Sequence, residues 1–281
     1  MKQHPSPTAA LTLRDAAVGY GTKTVLSDLT LTVEAGEFVG IVGPSGAGKT
    51  TLLRLLTGSA QLLAGEAHVH GHTFAIGTQN RVSHVAYVPQ LDQVDTTFPL
   101  TALEVVLFGA ATTSRQRPWF SRHEKTAAHQ ILERLGIGDQ AHARLNELSG
   151  GQRQRMFVAR ALFHDCAVLL LDEPTSGVDL KTRAEMLGLL GELHHEGLTV
   201  LLTTHDLNFV AAHLPRIVCV NGTIIADGAP NAILSVDVLE RTYGHTLTVL
   251  NQNGRPVVID PERIPLHSAL AHQRVNGVAD A

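Results

Sequence analysis

Residues Gly43 to Thr50 read GPSGAGKT, two glycines with four residues between them, followed directly by a lysine and a threonine. Glycine accepts the dihedrals that turn successive backbone N–H groups toward one point, and it places no Cβ against an anion. The string is therefore a phosphate loop for a nucleotide, with Gly43, Pro44, Ser45, Gly46, Ala47, Gly48, Lys49, Thr50 and Thr51 as its candidate contacts. Downstream, Asp172 and Glu173 follow the apolar run VLLL at 168–171. A carboxylate there can hold Mg2+, directly or through water, while the Thr50 hydroxyl approaches from the other side. Glu173 suits a base that orients or deprotonates an attacking water. His205 follows another apolar run, 198–203, and is placed to bond a γ-phosphate. Gln90, after VAYV and Pro89, offers an amide to the metal and its water.

These side chains need elements to aim them. Residues 37–42, EFVGIV, are short, apolar and rich in β-formers, as a buried strand requires. Residues 51–56 start a helix, whose N-terminus would add its positive end to the phosphate loop. A second helix start lies at Leu148 to Gln152, LSGGQ. Ser149 is a good N-cap, Gly150 and Gly151 leave amides uncovered, and Gln152 to Phe163 continues as an amphipathic helix. One chain thus carries two anion-binding helix ends.

In this order the motifs resemble those of the ATP-binding cassette proteins, the ATPase subunits of ABC transporters, over roughly the first 230 residues. The resemblance implies an α/β fold: a P-loop NTPase core of mainly parallel sheet flanked by helices, an antiparallel β-subdomain and an inserted helical lobe. GPSGAGKT corresponds to Walker A, with Lys49 on the phosphates and Thr50 on Mg2+. VLLLDE corresponds to Walker B, with Asp172 on the metal and Glu173 as the catalytic carboxylate. Gln90 matches the Q-loop, Ser149, Gly150, Gly151 and Gln152 the family signature, Asp179 in SGVD the D-loop, and His205 the switch histidine. Tyr20, in VGYG, matches the aromatic that stacks on adenine. The implied working unit is a head-to-tail dimer, with ATP pressed between the phosphate loop of one copy and the signature of the other. The further implied partners are integral membrane permease subunits and, indirectly, an extracytoplasmic solute-binding protein.

Composition agrees. The 281 residues are 44% hydrophobic, enough for one sizeable α/β core. No run approaches the roughly 18–20 apolar residues of a membrane-spanning helix, and the start, MKQHPSPTAA, lacks the apolar stretch of a secretory signal. The expectation is a peripheral protein on the cytoplasmic face of a membrane. Cys166 and Cys219 sit beside apolar strands without metal-ligand spacing and read as reduced thiols. The net charge of −4 gives no basic face for nucleic acid, and RQRP around Arg115 is too short to change that.

The chain divides into a cassette at 9–240, with the helical lobe at about 91–163, and an extension at 241–281 holding a β-hairpin and a tail. Residues 29–33, LTLTV, alternate as a half-buried strand, and with 11–18 and 25–26 they suggest the β-subdomain. Ser121 and Glu124 form a capping-box pair ahead of an apolar face at Ala127, Ala128, Ile131, Leu132 and Leu135. Asn221–Gly222 marks a hairpin, and a second is expected between 246–250 and 257–259.

The segment after Gln90 carries a pattern, Val94–Asp95 and Phe98-Pro99-Leu100-Thr101, that resembles the manganese, zinc or iron importers. Leu91 and Phe108-Gly109-Ala110 depart from that branch. Siderophore or cobalamin uptake is the nearest alternative cargo; an exporter, and a soluble ATPase of DNA repair or translation, are the other readings. Among sixteen histidines, His68, His70 and His72 read as a polar edge hairpin, with a zinc-sensing site as the alternative, since His68 and His70 are expected to share one face of a strand.

Overall fold

The computed structural model describes residues 9–78, 82, 84–109, 120–163 and 166–260. Residues 1–8, the stretch around Arg115 and the tail beyond 260 lie outside them. In chain order the elements are β1 (Ala9–Tyr20), β2 (Lys23–Glu34), β3 (Phe38–Val42), α1 (Lys49–Leu56), β4 (Gln61–Val69), β5 (His72–Thr73) and β6 (Val85–Val88). Three helices follow, α2 (Ala102–Gly109), α3 (Arg122–Arg134) and α4 (Gly150–Leu162). Then come β7 (Val168–Asp172), α5 (Leu180–His195), β8 (Thr199–Thr204), α6 (Leu207–His213), β9 (Arg216–Val220) and β10 (Ile224–Gly228). The last are α7 (Pro230–Ile233), α8 (Val236–Tyr243), β11 (Thr248–Gln252) and β12 (Arg255–Ile259).

A six-stranded sheet in the order β10-β9-β3-β8-β7-β6 organises the chain. Its pairs are parallel except that of β9 with β10 at one edge. Strands β3, β7 and β8 are buried along their whole length, which is why they read as unbroken apolar runs. Alternate side chains leave on opposite faces. Phe38, Leu169, Leu171 and Leu202 join one core with the helices, and Val39, Ile41, Leu170 and Leu201 join another beneath α1 and the second sheet.

That second sheet is antiparallel, in the order β2-β1-β4-β5. In β2, Leu29, Leu31 and Val33 are buried while Thr30 and Thr32 are exposed, the period of two read from LTLTV. Helices α2, α3 and α4 pack on one another between β6 and β7. The capping box at Ser121 and Glu124 forms, with Ser121 N–H on Glu124 Oε2 at 2.7 Å. Both hairpins form as well, β9–β10 and β11–β12. The second turns through Asn253 (φ 54°) and Gly254 (φ 79°), the pair of left-handed residues that a two-residue hairpin favours.

Two local expectations, for α1 and His70, are corrected, and the cap expected at Ser149 is met. Helix α1 starts at Lys49 rather than Thr51, because Gly48 at φ 98° already serves as its N-cap. Helix α4 starts at Gly150, directly after its Ser149 cap, and ends at Leu162. His70 is not on a strand face with His68: β4 stops at Val69, and His70 turns at φ 47°. The His68 ring instead meets Thr73 Oγ1 at 3.0 Å, and the His72 ring meets the His70 carbonyl at 3.2 Å. No three His, Cys, Asp or Glu groups among the described residues are arranged to hold a metal ion.

Candidate active site

The phosphate loop joins β3 to α1, and its glycines are there for space. A methyl group on Gly43 would sit 2.0 Å from the Val220 carbonyl oxygen, and one on Gly48 would meet Leu26 Cδ2 at 2.4 Å. Lys49 opens the helix and is buried, only 8% exposed. Its Nζ donates to the carbonyls of Gly43 at 2.8 Å and Pro44 at 2.9 Å. Burial pushes its pKa down, against the opposing pull of Glu173 and Asp172. An ammonium held by two carbonyls inside a glycine-lined loop suits a polyanion, which would supply the opposite charge that the loop lacks.

Asp172, at the end of β7, is buried and accepts three hydrogen bonds. Its Oδ1 accepts from Thr203 Oγ1 at 2.6 Å and Thr50 Oγ1 at 3.2 Å, and its Oδ2 accepts from Tyr87 Oη at 3.0 Å. Thr203 and Tyr87 were not singled out in the sequence. The parallel register sets Thr203 beside Asp172, and Tyr87 reaches across from β6. No motif announces either residue; only the strand order does. Burial, with Asp172 beside it, pushes the Tyr87 phenol up, so it stays a donor.

Glu173 leaves the strand in the left-handed region, at φ 48°. Such a backbone costs about 1–3 kcal/mol in a non-glycine residue. Its N–H is held by the Thr203 carbonyl at 3.2 Å and the Thr203 hydroxyl at 3.0 Å. The carboxylate meets two groups expected from sequence: Oε2 lies 3.4 Å from His205 Nδ1 and 3.5 Å from Gln90 Nε2. Lys49, Thr50, Gln90, Asp172, Glu173 and His205 thus converge on the ends of β3, β6, β7 and β8. Tyr20 ends β1 on the neighbouring sheet and is 37% exposed. Hydrogen bonding to it raises the pKa of Arg54, on α1.

The signature residues form a separate site. Gln152 N–H reaches Ser149 Oγ at 3.3 Å, and Ser149 N–H reaches Gln152 Oε1 at 2.8 Å, a reciprocal cap on α4. Asp179 caps α5, accepting from Thr182 N–H at 2.9 Å and Thr182 Oγ1 at 2.8 Å, and these bonds hold its pKa down. Among the described residues, no hydrogen bond joins Ser149, Gly150, Gly151, Gln152 or Asp179 to the phosphate loop. Among the described residues, the two glycine-bearing helix starts that the sequence offers to phosphate share no hydrogen bond.

A groove of about 720 Å³ opens between β6, α2 and α4. Tyr87, Asp95, Phe98, Leu100, Phe108 and Arg160 line it. Phe98 and Phe108 are 61% and 49% exposed, and Arg160 donates to the Tyr87 carbonyl at 3.2 Å.

A family model described as ABC transporter matches residues 26–176, which hold the phosphate loop, the signature and the Asp172–Glu173 pair. The chain belongs to the ABC transporter family. It is similar to the zinc transport system ATP-binding protein of Treponema pallidum, 37% identical over 84% of this chain and 87% of that one. It is also similar to the manganese transport system ATP-binding protein of Bacillus subtilis, 35% identical over 85% and 94%. Among solved structures, a chain described as a metal-chelate type ABC transporter in an inward-facing conformation superposes with a TM-score of 0.76 at 26% identity, covering 91% of this chain and all of that one. A cassette in a dimeric post-hydrolysis state bound to ADP and phosphate superposes at 0.65 and 28% identity, over 78% and 98%. This cassette is accordingly an ATP-binding, ATP-hydrolysing α/β protein of the P-loop class. No described helix is long and apolar enough to cross a membrane.

Proposed function

We propose that this cassette powers import of a divalent transition-metal ion, zinc or manganese, through separate membrane subunits. The similarity to zinc and manganese transport ATPases along 84–85% of the chain carries the reading. The apolar groove at Phe98 and Phe108 supports it, because it offers a permease segment a seat along β6, the strand that leads to Gln90. The cassette occupies 9–240, its helical lobe 91–163, and the extension from 241 includes β11 and β12. In the cell it sits at the cytoplasmic face of the membrane, served indirectly by an extracytoplasmic solute-binding protein.

The substrate is ATP. Amides of 43–51 surround its phosphates with Lys49, and Tyr20 stacks on the base. Mg2+ fits the donor set: Asp172 and the Thr50 hydroxyl are hard oxygen ligands 3.2 Å apart, and the Gln90 amide lies 3.5 Å from the adjoining Glu173 carboxylate. When bound, the ion neutralises charge on the β- and γ-phosphate oxygens. Glu173 orients the attacking water and takes its proton, and His205 holds the γ-phosphate end. Ser149, Gly150, Gly151, Gln152 and Asp179 serve the site of a second copy, so ATP favours the closed pair and hydrolysis removes that preference. The test is purification from detergent-solubilised membranes with identification of the bound permease, followed by reconstitution in vesicles. Zinc or manganese should accelerate ATP turnover and enter the vesicles; turnover indifferent to both metals would reject the cargo.

A further inference from the structure

The hairpin β11–β12 is attached to the rest of the chain at a telling place. Asn208, on the first turn of α6, donates its Nδ2 to the Val258 carbonyl at 2.9 Å and accepts the Val258 N–H on Oδ1 at 2.7 Å. The side-chain amide takes the part of a neighbouring strand, satisfying both backbone groups of one β12 residue. Val258 is itself buried, in one core with Leu207, Phe209 and Val210 of α6.

Helix α6 begins two residues after His205, and its first turn is held from two further directions. Asp206 caps it, accepting from Phe209 N–H at 3.0 Å. The other oxygen of Asp206 takes Arg183 Nη1 at 2.6 Å, and Arg183 lies one turn beyond Asp179 on α5. The turn carrying His205 is thus clamped between the helix that follows Asp179 and the C-terminal hairpin.

We infer that the C-terminal hairpin positions His205, with Asn208 as the positioning residue through which it acts. The hairpin touches neither the phosphate loop nor Glu173 in the contacts described, so its effect on turnover runs through α6. A bidentate bond of this kind fixes the rotation of the helix as well as its distance, and the direction of the His205 ring follows that rotation. Displacing the hairpin would loosen that control without opening the nucleotide site.

The inference rests on His205 acting at the γ-phosphate, and the test separates the two. In Asn208→Ala, kcat for ATP should fall roughly three- to ten-fold with KM little changed, the range expected for removing one coupling contact. The imidazole resonance of His205, assigned by its loss in His205→Gln, should shift. Asn208→Asp keeps the acceptor for Val258 N–H and loses the donor, so it should fall between the two, and it serves alone if the alanine variant does not fold. An unmoved His205 resonance in the folded variant overturns the proposal, as does an unchanged kcat where His205→Gln itself lowers turnover. If His205→Gln itself retains full turnover, the switch role of His205 fails, whereas a shifted resonance in the Asn208 variants still reports the positioning.

Discussion

His205 Nδ1 lies 3.4 Å from Glu173 Oε2, in contact with the carboxylate that the sequence nominates as the base. Both side chains leave the ends of adjacent parallel strands, and the left-handed backbone of Glu173 turns its carboxylate toward the ring. Glu173→Gln keeps the shape and a hydrogen-bonding oxygen but cannot take a proton. Nucleotide affinity should stay close to that of the parent, and turnover should fall about 10²- to 10⁴-fold. Light scattering at saturating ATP should show twice the monomer mass; a monomer there would contradict the shared site.

Lys49 presents a different balance. Its ammonium is buried against the Gly43 and Pro44 carbonyls, and burial lowers its pKa. A charge-assisted bond to phosphate contributes about 1.5–3 kcal/mol. Lys49→Ala should therefore weaken ATP binding roughly 10- to 100-fold by calorimetry, with the fold retained by circular dichroism. Unchanged affinity would remove the lysine from the phosphate site.

How far the chain disclosed itself in advance depended on whether a residue's job is local. Gly43, Lys49 and Ser149 sit in their own loop or helix start, so the local residue pattern marked them, and the family resemblance marked Asp179. Tyr87 and Thr203 act on Asp172 from other strands, and only the order β8-β7-β6 puts them there. Asn208 was equally silent, because its partner Val258 lies 50 residues away. The misplaced His70 shows the reverse fault: a period-two pattern was extended one residue past the point where Gly71 and a left-handed turn end the strand.

Cys219 gives the cassette a specific pH response. The thiol is fully buried in β9, and burial raises its pKa from 9.0 to about 11. Below pH 9 the folded and unfolded chains both keep the proton, so the full contribution is present. Between pH 9 and 11 the unfolded chain ionises first, and stability is lost as pH rises, by roughly 2–3 kcal/mol in all. Urea denaturation from pH 8 to 11 should show a smaller decline in Cys219→Ala than in the parent. Equal declines would mean that the thiol is accessible, as would rapid alkylation of native Cys219 at pH 8.

The signature and the D-loop are joined inside one chain by a contact that can be tested by adding and removing a methyl group. A Cβ on Gly151 would lie 2.4 Å from Thr182 Cγ2. Thr182 cannot simply rotate away, because its Oγ1 donates to Asp179 Oδ2 at 2.8 Å and its N–H donates to Asp179 Oδ1. Gly151→Ala would gain up to about 1 kcal/mol of helix propensity in α4. Against this stand overpacking, about 1–3 kcal/mol, and a strained cap worth about 1 kcal/mol. The variant should be destabilised by about 1–3 kcal/mol on these terms. The monomer should still bind ATP normally, since the phosphate loop is untouched, while ATP-driven dimerisation and turnover fall together. Adding Thr182→Ser removes the colliding methyl but keeps the hydroxyl for Asp179, so the double variant should recover both stability and dimer formation. If Thr182→Ser gives no recovery, the defect lies in the lost flexibility of Gly151 or in its contact with the second copy, and the Gly151–Thr182 packing is not what aligns Asp179 with the signature turn.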